Sequence, residues 1–157
     1  MNIKLVRIDD RLIHGLIVMA WTKTITVKRI VVINDKVAVD VIRKMLLETV
    51  APPGIKVSVL SVKDGISKLQ DNSFEGQDLM LLFTNPTDVL AVKSAGVAIS
   101  TVNIGGMSFS QGKKQLTKSI SVDDADIDAF KKLHSLGCSL EIQVVPNDSV
   151  IDMMTKI

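Results

Sequence analysis

Residues 7–15, near the amino terminus, gather two arginines, two aspartates, a histidine and a glycine. These side chains suit phosphoryl chemistry. A neutral imidazole is a competent nucleophile toward phosphorus, and the ordinary histidine pKa of about 6.5 leaves most rings unprotonated at neutral pH. We therefore predict that His14 is a nucleophile that carries a phosphoryl group.

Arg11 and Gly15 are the predicted phosphate-binding residues beside His14. Arg11 precedes His14 by three residues in a predicted turn, so its guanidinium can return to the phosphate oxygens with bidentate geometry. The backbone amides of Gly15 and Leu16 open a predicted helix and add further donors. Gly15 also lets a partner approach closely.

Asp9 and Arg7 are predicted to support this site rather than to touch phosphate. A carboxylate repels a phosphoryl group, whereas the two-residue period of a strand places Arg7 and Asp9 on one side. Asp9 would then orient an arginine or hold a histidine tautomer. On spacing alone, His14 also fits an ordinary polar loop residue, and the charged cluster fits an ion-pair network.

The composition excludes several classes of function. Nineteen basic against seventeen acidic residues give a net charge of +2, too small to favour nucleic acid or an anionic membrane surface. Two histidines and one cysteine lie too far apart for metal-ligand spacing, so we expect no metal and no cofactor. Cys138 and His134 look structural, and 3% aromatic residues leave few stacking platforms.

The chain has the length of one domain, and we expect residues 1–157 to form a single one. Charged residues at positions 4 to 11 interrupt any apolar run at the start, so no signal peptide is predicted. No apolar stretch reaches the roughly 20 residues of a membrane span. The expected location is the cytoplasm, in keeping with the single Cys138.

Strand and helix patterns alternate along the chain. The pattern predicts an α/β, doubly wound, mostly parallel seven-stranded sheet with helices on both faces. The predicted strands are 2–9, 29–34, 56–60, 78–83, 98–104, 115–122 and 140–145. The predicted helices are 16–21, 34–50, 61–70, 85–96, 123–136 and a short one after Pro146.

Only the strand at about 115–122 is expected to run antiparallel. It follows a short polar loop, 107–112, whereas parallel neighbours need a crossover of a dozen or more residues. In an open parallel sheet, ligands bind beyond the carboxyl ends of the strands, which selects the loops at 9–14, 34–35, 84–85 and 105–106. Sequence alone does not settle the strand order that would bring these loops together.

Two other classes of α/β protein fit less well. A receiver domain needs a phospho-accepting Asp after the third strand and a Lys after the fifth, where this chain has Val59-Leu60-Ser61 and Asn103-Ile104-Gly105. A nucleotide-binding enzyme needs a glycine fingerprint, which is missing. Gly105-Gly106 is accordingly predicted to be a tight turn rather than a phosphate cradle.

Residues 6–15, Val-Arg-Ile-Asp-Asp-Arg-Leu-Ile-His-Gly, followed by Trp21, form a long and specific motif. Shorter supporting motifs lie at 32–35, 51–54, 84–86 and 102–107. Together they resemble the IIB component of the bacterial phosphoenolpyruvate-dependent sugar phosphotransferase system, mannose/fructose/sorbose family. The resemblance covers nearly the whole chain.

The resemblance implies that His14 accepts a phosphoryl group through Nδ1 from a phosphohistidine of a IIA partner. The group would pass to a hexose-type sugar bound by the membrane components IIC and IID, which is the reaction of a protein-N(pi)-phosphohistidine-sugar phosphotransferase. Arg11 matches the phosphate-contacting arginine of the family, and Asp9 matches its neighbouring carboxylate. The resemblance thus implies a cytoplasmic phosphoprotein held at the inner face of the membrane through IIC and IID.

One residue departs from the family pattern. Leu16 stands where members commonly have glutamine after His-Gly. The departure leaves the acceptor intact and changes local polar contacts, with consequences for partner recognition or rate. The sequence leaves the transported sugar and a homo-oligomer open.

Overall fold

The computed structural model describes residues 1–157, apart from the side chain of Leu16. Its main sheet has seven strands in the order β3-β2-β4-β1-β5-β8-β9, all parallel except β9, which confirms the predicted fold class. The strands are β1 Asn2–Asp9, β2 Arg29–Ile33, β3 Lys56–Leu60, β4 Asp78–Phe83, β5 Thr101–Gly106, β6 Lys114–Gln115, β7 Ser121–Val122, β8 Ser139–Ile142 and β9 Ile151–Asp152.

The central strands are buried on both faces because helices cover both sides of the sheet. The helices are α1 Gly15–Thr24, α2 Asp35–Val39, α3 Val41–Thr49, α4 Val62–Gln70, α5 Pro86–Ser94 and α6 Asp124–Ser135, and a 3₁₀ turn spans Met153–Thr155. In β2, Val31 and Ile33 join the apolar cluster under α4, α5 and α6, while Ile30 and Val32 join the cluster under α1, α2 and α3. Such alternation explains the continuous apolar runs in the sequence.

Capping side chains begin several helices where the sequence predicts a start. Asn85 accepts a hydrogen bond from the backbone of Asp88 at 2.9 Å, with Pro86 at the first helical position of α5. Asp123 and Asp126 form a reciprocal capping box on α6. Each cap satisfies a backbone amide that the helix itself leaves without a partner.

The single helix predicted over 34–50 is wrong, because it divides into α2 and α3 at Asp40. Asp40 is extended, with φ −89° and ψ 94°, and its carboxylate caps α3 by accepting from the backbone of Arg43 at 3.1 Å. In α3, after the break, Leu47 is buried, whereas Ile42 and Leu46 are exposed. An aspartate that can cap a new helix therefore interrupts an otherwise continuous helical pattern.

The antiparallel strand predicted at about 115–122 is also wrong in its place. Those residues form a small hairpin of β6 and β7 outside the main sheet, connected to it by a bridge between Met107 and Ile120. The antiparallel strand of the main sheet is β9, which pairs with β8. The predicted terminal helix after Pro146 is correspondingly replaced by β9 and the 3₁₀ turn.

Candidate functional site

The strand order places the four selected loops side by side. β2, β4, β1 and β5 are consecutive neighbours, so the loops that follow them share one edge of the sheet. Asn34, after β2, donates through Nδ2 to Oγ1 of Thr84, after β4, at 2.8 Å. Asp10, after β1, donates from its backbone to the carbonyl of Gly106, at the end of β5, at 3.0 Å. The edge is thus one continuous surface with the 7–15 segment at its centre.

A tight turn redirects the chain between β1 and α1. The amide of Leu12 donates to the carbonyl of Asp9 at 2.9 Å, and the amide of Arg11 donates to Oδ1 of Asp9 at 3.1 Å. Leu12 adopts a positive φ of 60° while its side chain is buried. A non-glycine residue in this region costs about 1–3 kcal/mol and persists only where its surroundings enforce it. The turn brings His14 back toward Asp9.

The Asp9 carboxylate is the centre of the cluster. Its side chain is 1% exposed, and both of its oxygens accept hydrogen bonds. Burial acts to raise the pKa of Asp9, but hydrogen bonds from Arg11 and His14 oppose it. The positive charge of Arg7 also lowers this pKa, and the lowering effects together exceed that of burial, so the pKa of Asp9 lies below its ordinary value. The carboxylate is therefore ionised at neutral pH.

His14 points one ring nitrogen at this carboxylate. Its Nε2 lies 3.1 Å from Oδ2 of Asp9, and the side chain is 28% exposed. An ionised carboxylate can only accept, so Nε2 must carry the hydrogen. In the neutral ring, Nδ1 then holds the lone pair and is the nucleophilic nitrogen.

Arg11 is the exposed arginine of the pair beside Asp9. Its Nε donates to Oδ1 of Asp9 at 3.0 Å and its Nη2 to Oδ2 at 3.1 Å, and hydrogen bonding to this carboxylate raises the pKa of Arg11. The side chain is 47% exposed. The paired face holds Arg11 in place, which leaves Nη1 as a donor pair for an incoming anion.

The amino end of α1 begins beside the same histidine. His14 is the N-cap residue, makes no capping hydrogen bond with its side chain, and is followed by the exposed Gly15 at the first helical position. The first turn of α1 contains no acidic residue. The backbone amides of this first turn and the helix dipole favour an anion at the amino end of α1. The side chain of Leu16, at the predicted family departure, lies outside the described residues.

Arg7 is buried at 2% exposure, unlike Arg11. Its Nη2 donates to Asp9, while its Nη1 donates to Oδ1 of Asn103 at 2.6 Å and to the carbonyl of Gln143 at 3.1 Å. Its guanidinium carbon also lies 5.4 Å from the ring centroid of Trp21. Asn103 was missed from the sequence, although a polar residue within the apolar strand Thr101–Gly106 was the available signal.

The prediction of a tight turn at Gly105-Gly106 is wrong, because both glycines belong to β5. Their lack of side chains makes room for the charged cluster. A Cβ on Gly106 would lie 2.8 Å from Oδ1 of Asp9 and 2.9 Å from Nη2 of Arg11, and a Cβ on Gly105 would overlap the Arg7 guanidinium. The two glycines are thus a steric condition for the site.

A cleft of about 280 Å³ opens beside Arg11. Its walls include Ser108 and Phe109 from the loop after β5, and Lys118 from the turn between β6 and β7. Asp10 anchors this loop, because its carboxylate accepts from the amide of Ser108 at 2.7 Å and from its hydroxyl at 2.9 Å. The displaced hairpin therefore forms part of the rim of the site.

Two absences hold within the described part of the chain. No group of three His, Cys, Asp or Glu side chains lies close enough to hold a metal ion among the described residues. None of the described helices is long and apolar enough to cross a membrane.

Comparisons with known proteins agree across the chain. A family model described as "PTS system sorbose subfamily IIB component" matches residues 3–157. The sorbose-specific EIIB component of Klebsiella pneumoniae is 45% identical over 157 residues, which cover 100% of this chain and 96% of that protein. The crystal structure of the IIBSor domain of the K. pneumoniae sorbose permease superposes with a TM-score of 0.97 at 44% identity, covering 99% of this chain and 96% of the other.

A longer relative gives a further match. The mannose-specific EIIAB component of Escherichia coli K12 is 49% identical over 157 residues, covering all of this chain. This chain spans only about half, 49%, of the length of that relative.

Proposed function

The chain belongs to the sorbose subfamily of IIB components of the phosphotransferase system, and on this premise we propose that residues 1–157 form one phosphocarrier domain with His14 as its acceptor. Membership implies a phosphotransferase activity and interaction with other components of that system. The proposal assigns these general properties to specific residues and partners.

The observation that carries the proposal is the 3.1 Å contact between Nε2 of His14 and Oδ2 of Asp9. This contact leaves the lone pair on Nδ1. The partly exposed ring is reachable by a partner. When Nδ1 bonds to phosphorus, the ring gains positive charge, and the carboxylate stabilises that charge from the opposite nitrogen.

The proposed reaction has two transfers. In the first, a bond forms between phosphorus and Nδ1 of His14 as the bond between phosphorus and a histidine nitrogen of IIA breaks. In the second, the oxygen of a sugar hydroxyl attacks phosphorus and its proton passes to a base of the membrane components or to water. The bond between phosphorus and Nδ1 breaks, and the electron pair returns to His14, whose ring is again neutral. The second acceptor is a hexose-type sugar bound by IIC and IID, which would hold this domain at the inner face of the membrane.

Arg11 and the amino end of α1 supply the positive charge for both transfers. The phosphoryl group brings about −1.5 to −2 charges. Nη1 of Arg11, which lies three residues before His14, and the backbone amides at the start of α1 are the donors we assign to this group. They act mainly by orientation and charge stabilisation, as in other phosphoryl transfers.

The acceptor is tested by labelling the purified chain with phosphoenolpyruvate, the general transfer proteins and a cognate IIA. Acid-labile, alkali-stable phosphate should appear on the wild type and be absent from His14→Ala. His134→Ala is the matched control, because His134 is the other histidine of the chain and lies in α6, where it should leave labelling unchanged. Equal labelling of His14→Ala would show that the acceptor is elsewhere.

A further inference from the structure

The two arginines that contact Asp9 occupy opposite environments. Arg7 is 2% exposed and Arg11 is 47% exposed, yet each donates to the same carboxylate. Arg7 donates hydrogen bonds to the side chains of Asp9 and Asn103 and to the carbonyl of Gln143. The burial of Arg7 prevents it from reaching an incoming phosphoryl group, so its contribution must pass through Asp9.

Electrostatics gives Arg7 a first task. Asp9 lies one imidazole ring away from the nitrogen that receives the phosphoryl group. A buried carboxylate without a permanent counter-charge would repel that group or draw Arg11 inward to neutralise it. Arg7 pairs with Asp9 at 3.0 Å from the buried side of the carboxylate. Arg11, on the exposed side, therefore remains available to the phosphoryl group.

Geometry gives Arg7 a second task. Its Nη1 bridges β1 to Asn103 of β5 and to the carbonyl of Gln143 just after β8, and Asn103 Nδ2 donates to that same carbonyl at 3.0 Å. Trp21 of α1 closes the remaining side, with its ring facing the Arg7 guanidinium and its Nε1 donating to the carbonyl of Val144 at 2.9 Å. Contacts from β5, from the residue after β8 and from α1 therefore hold in one place the guanidinium that β1 carries.

We propose that Arg7, seated against Gly105 and held by Asn103 and Trp21, is a positioning residue that neutralises and orients Asp9 so that Arg11 and Nδ1 of His14 face the phosphoryl group. The assignment rests on the proposed function of His14. It divides the labour between the arginines, with Arg7 acting on Asp9 and Arg11 acting on the phosphoryl group.

The test compares Arg7→Met, Arg7→Lys and a matched control, Arg29→Met. Arg29 is the first residue of β2, so it lies where the amino ends of the strands meet, away from the site. Its surroundings resemble those of Arg7, because it donates to Gln77 and Ser58 and its guanidinium carbon lies 5.3 Å from the ring centroid of Phe74. Two quantities are measured on variants that retain the wild-type amide spectrum: the Nε2 proton resonance of His14 and the rate of transfer from phosphorylated IIA.

We expect Arg7→Met to broaden or lose the Nε2 proton resonance and to slow transfer by about 10- to 100-fold, the loss that is typical when a residue that orients a metal ligand is removed. Arg7→Lys should recover part of the rate, because it keeps the charge without the planar fork. Arg29→Met should leave both measurements within about twofold of the wild type. A folded Arg7→Met with a wild-type resonance and a wild-type rate would overturn the proposal. If Arg7→Met does not fold, wild-type values of both measurements in Arg7→Lys and in Gly105→Ala would overturn it.

Gly105→Ala tests the same seat without removing Arg7. The added Cβ would displace the guanidinium, so this variant should lose the resonance and slow transfer in the same direction as Arg7→Met. A folded Gly105→Ala with wild-type transfer would contradict the proposed seat. The resonance is measured on the unphosphorylated chain, so it tests the role of Arg7 independently of labelling. A wild type that is not labelled on His14 would contradict the proposed function and not the role of Arg7.

Discussion

A single buried carboxylate, Asp9, organises the chemistry of this edge of the sheet. It accepts from two arginines, from the amide of Arg11 and from the ring of His14. A carboxylate with several acceptor sites is the side chain suited to this, because the other members of the cluster are donors. At the scale of the residue, charge and tautomer are therefore set together by one group.

Arg11 is expected to matter for transfer and not for folding. Arg11→Ala should slow phosphoryl transfer by about 10²- to 10³-fold, the usual cost of losing one donor to developing charge. Arg11→Lys should recover only part of this loss, because an ammonium cannot match the bidentate fork. Transfer rates from IIA and unfolding midpoints would be measured together.

Arg43→Ala is the matched control for Arg11, since Arg43 is an exposed arginine of α3. It should leave the transfer rate unchanged. An Arg11→Ala variant that transfers at the wild-type rate would reduce Arg11 to a structural ion pair.

At the scale of the element, the division of one predicted helix at Asp40 changes which side chains reach the core. Ile42 is 74% exposed and Leu46 is 60% exposed, while Leu47 is 6% exposed. The apolar residues that recur at helical spacing over 34–50 predict that Ile42 and Leu46 belong to the inner face of this helix, which is wrong. Asp40 separates α3 from α2 and caps it, and Leu47 of α3 belongs to the apolar cluster that includes Val59 of β3.

Leu46 and Leu47 offer a direct test of which face of α3 is buried, because the same substitution is made at adjacent positions. Leu47→Ala should lower the free energy of unfolding by about 2–5 kcal/mol through lost burial and a residual cavity. Leu46→Ala should change it by less than about 0.5 kcal/mol, as is usual for surface positions. Urea unfolding of the two variants measures the difference, and equal losses would show that the described orientation of α3 is incorrect.

At the scale of the whole molecule, two apolar clusters on opposite faces of the sheet hold the strands in order. The cluster under α4, α5 and α6 extends from Val6 in β1 to Met153 in the 3₁₀ turn. Met153 is fully buried, and β9 just before it pairs with β8. Met153 thus connects the half-buried and exposed segment that follows β8 to the core. At its other end this segment begins with Gln143, whose carbonyl accepts from Arg7.

Met153→Ala is therefore expected to destabilise the protein by about 2–5 kcal/mol, since a large core side chain is truncated. Met19→Ala is the control, because Met19 is 41% exposed on α1 and should cost much less. Thermal and urea unfolding would report the loss. An unfolding free energy for Met153→Ala equal to that of the wild type would show that this segment does not share the core.

Much of this arrangement was readable from local signals. The strand at 78–83 and the helix begun by Asn85 and Pro86 lie where predicted, because strand burial patterns and helix caps are encoded within a few residues. The 7–15 segment was likewise identified by its own residue types. The sequence by itself thus determined the α/β class and which nine residues stand at the end of β1.

Other features depended on partners that are distant in the sequence. Asn103 is 96 positions from Arg7, and the Gln143 carbonyl is 136 positions away, so no local pattern joins them. The same holds for the pairing of β9 with β8 and for the placement of the β6–β7 hairpin, which short segments cannot specify alone. Strand order decided these contacts, because only packing of the complete sheet sets β1 beside β5 and so encloses Arg7 beneath Asp9.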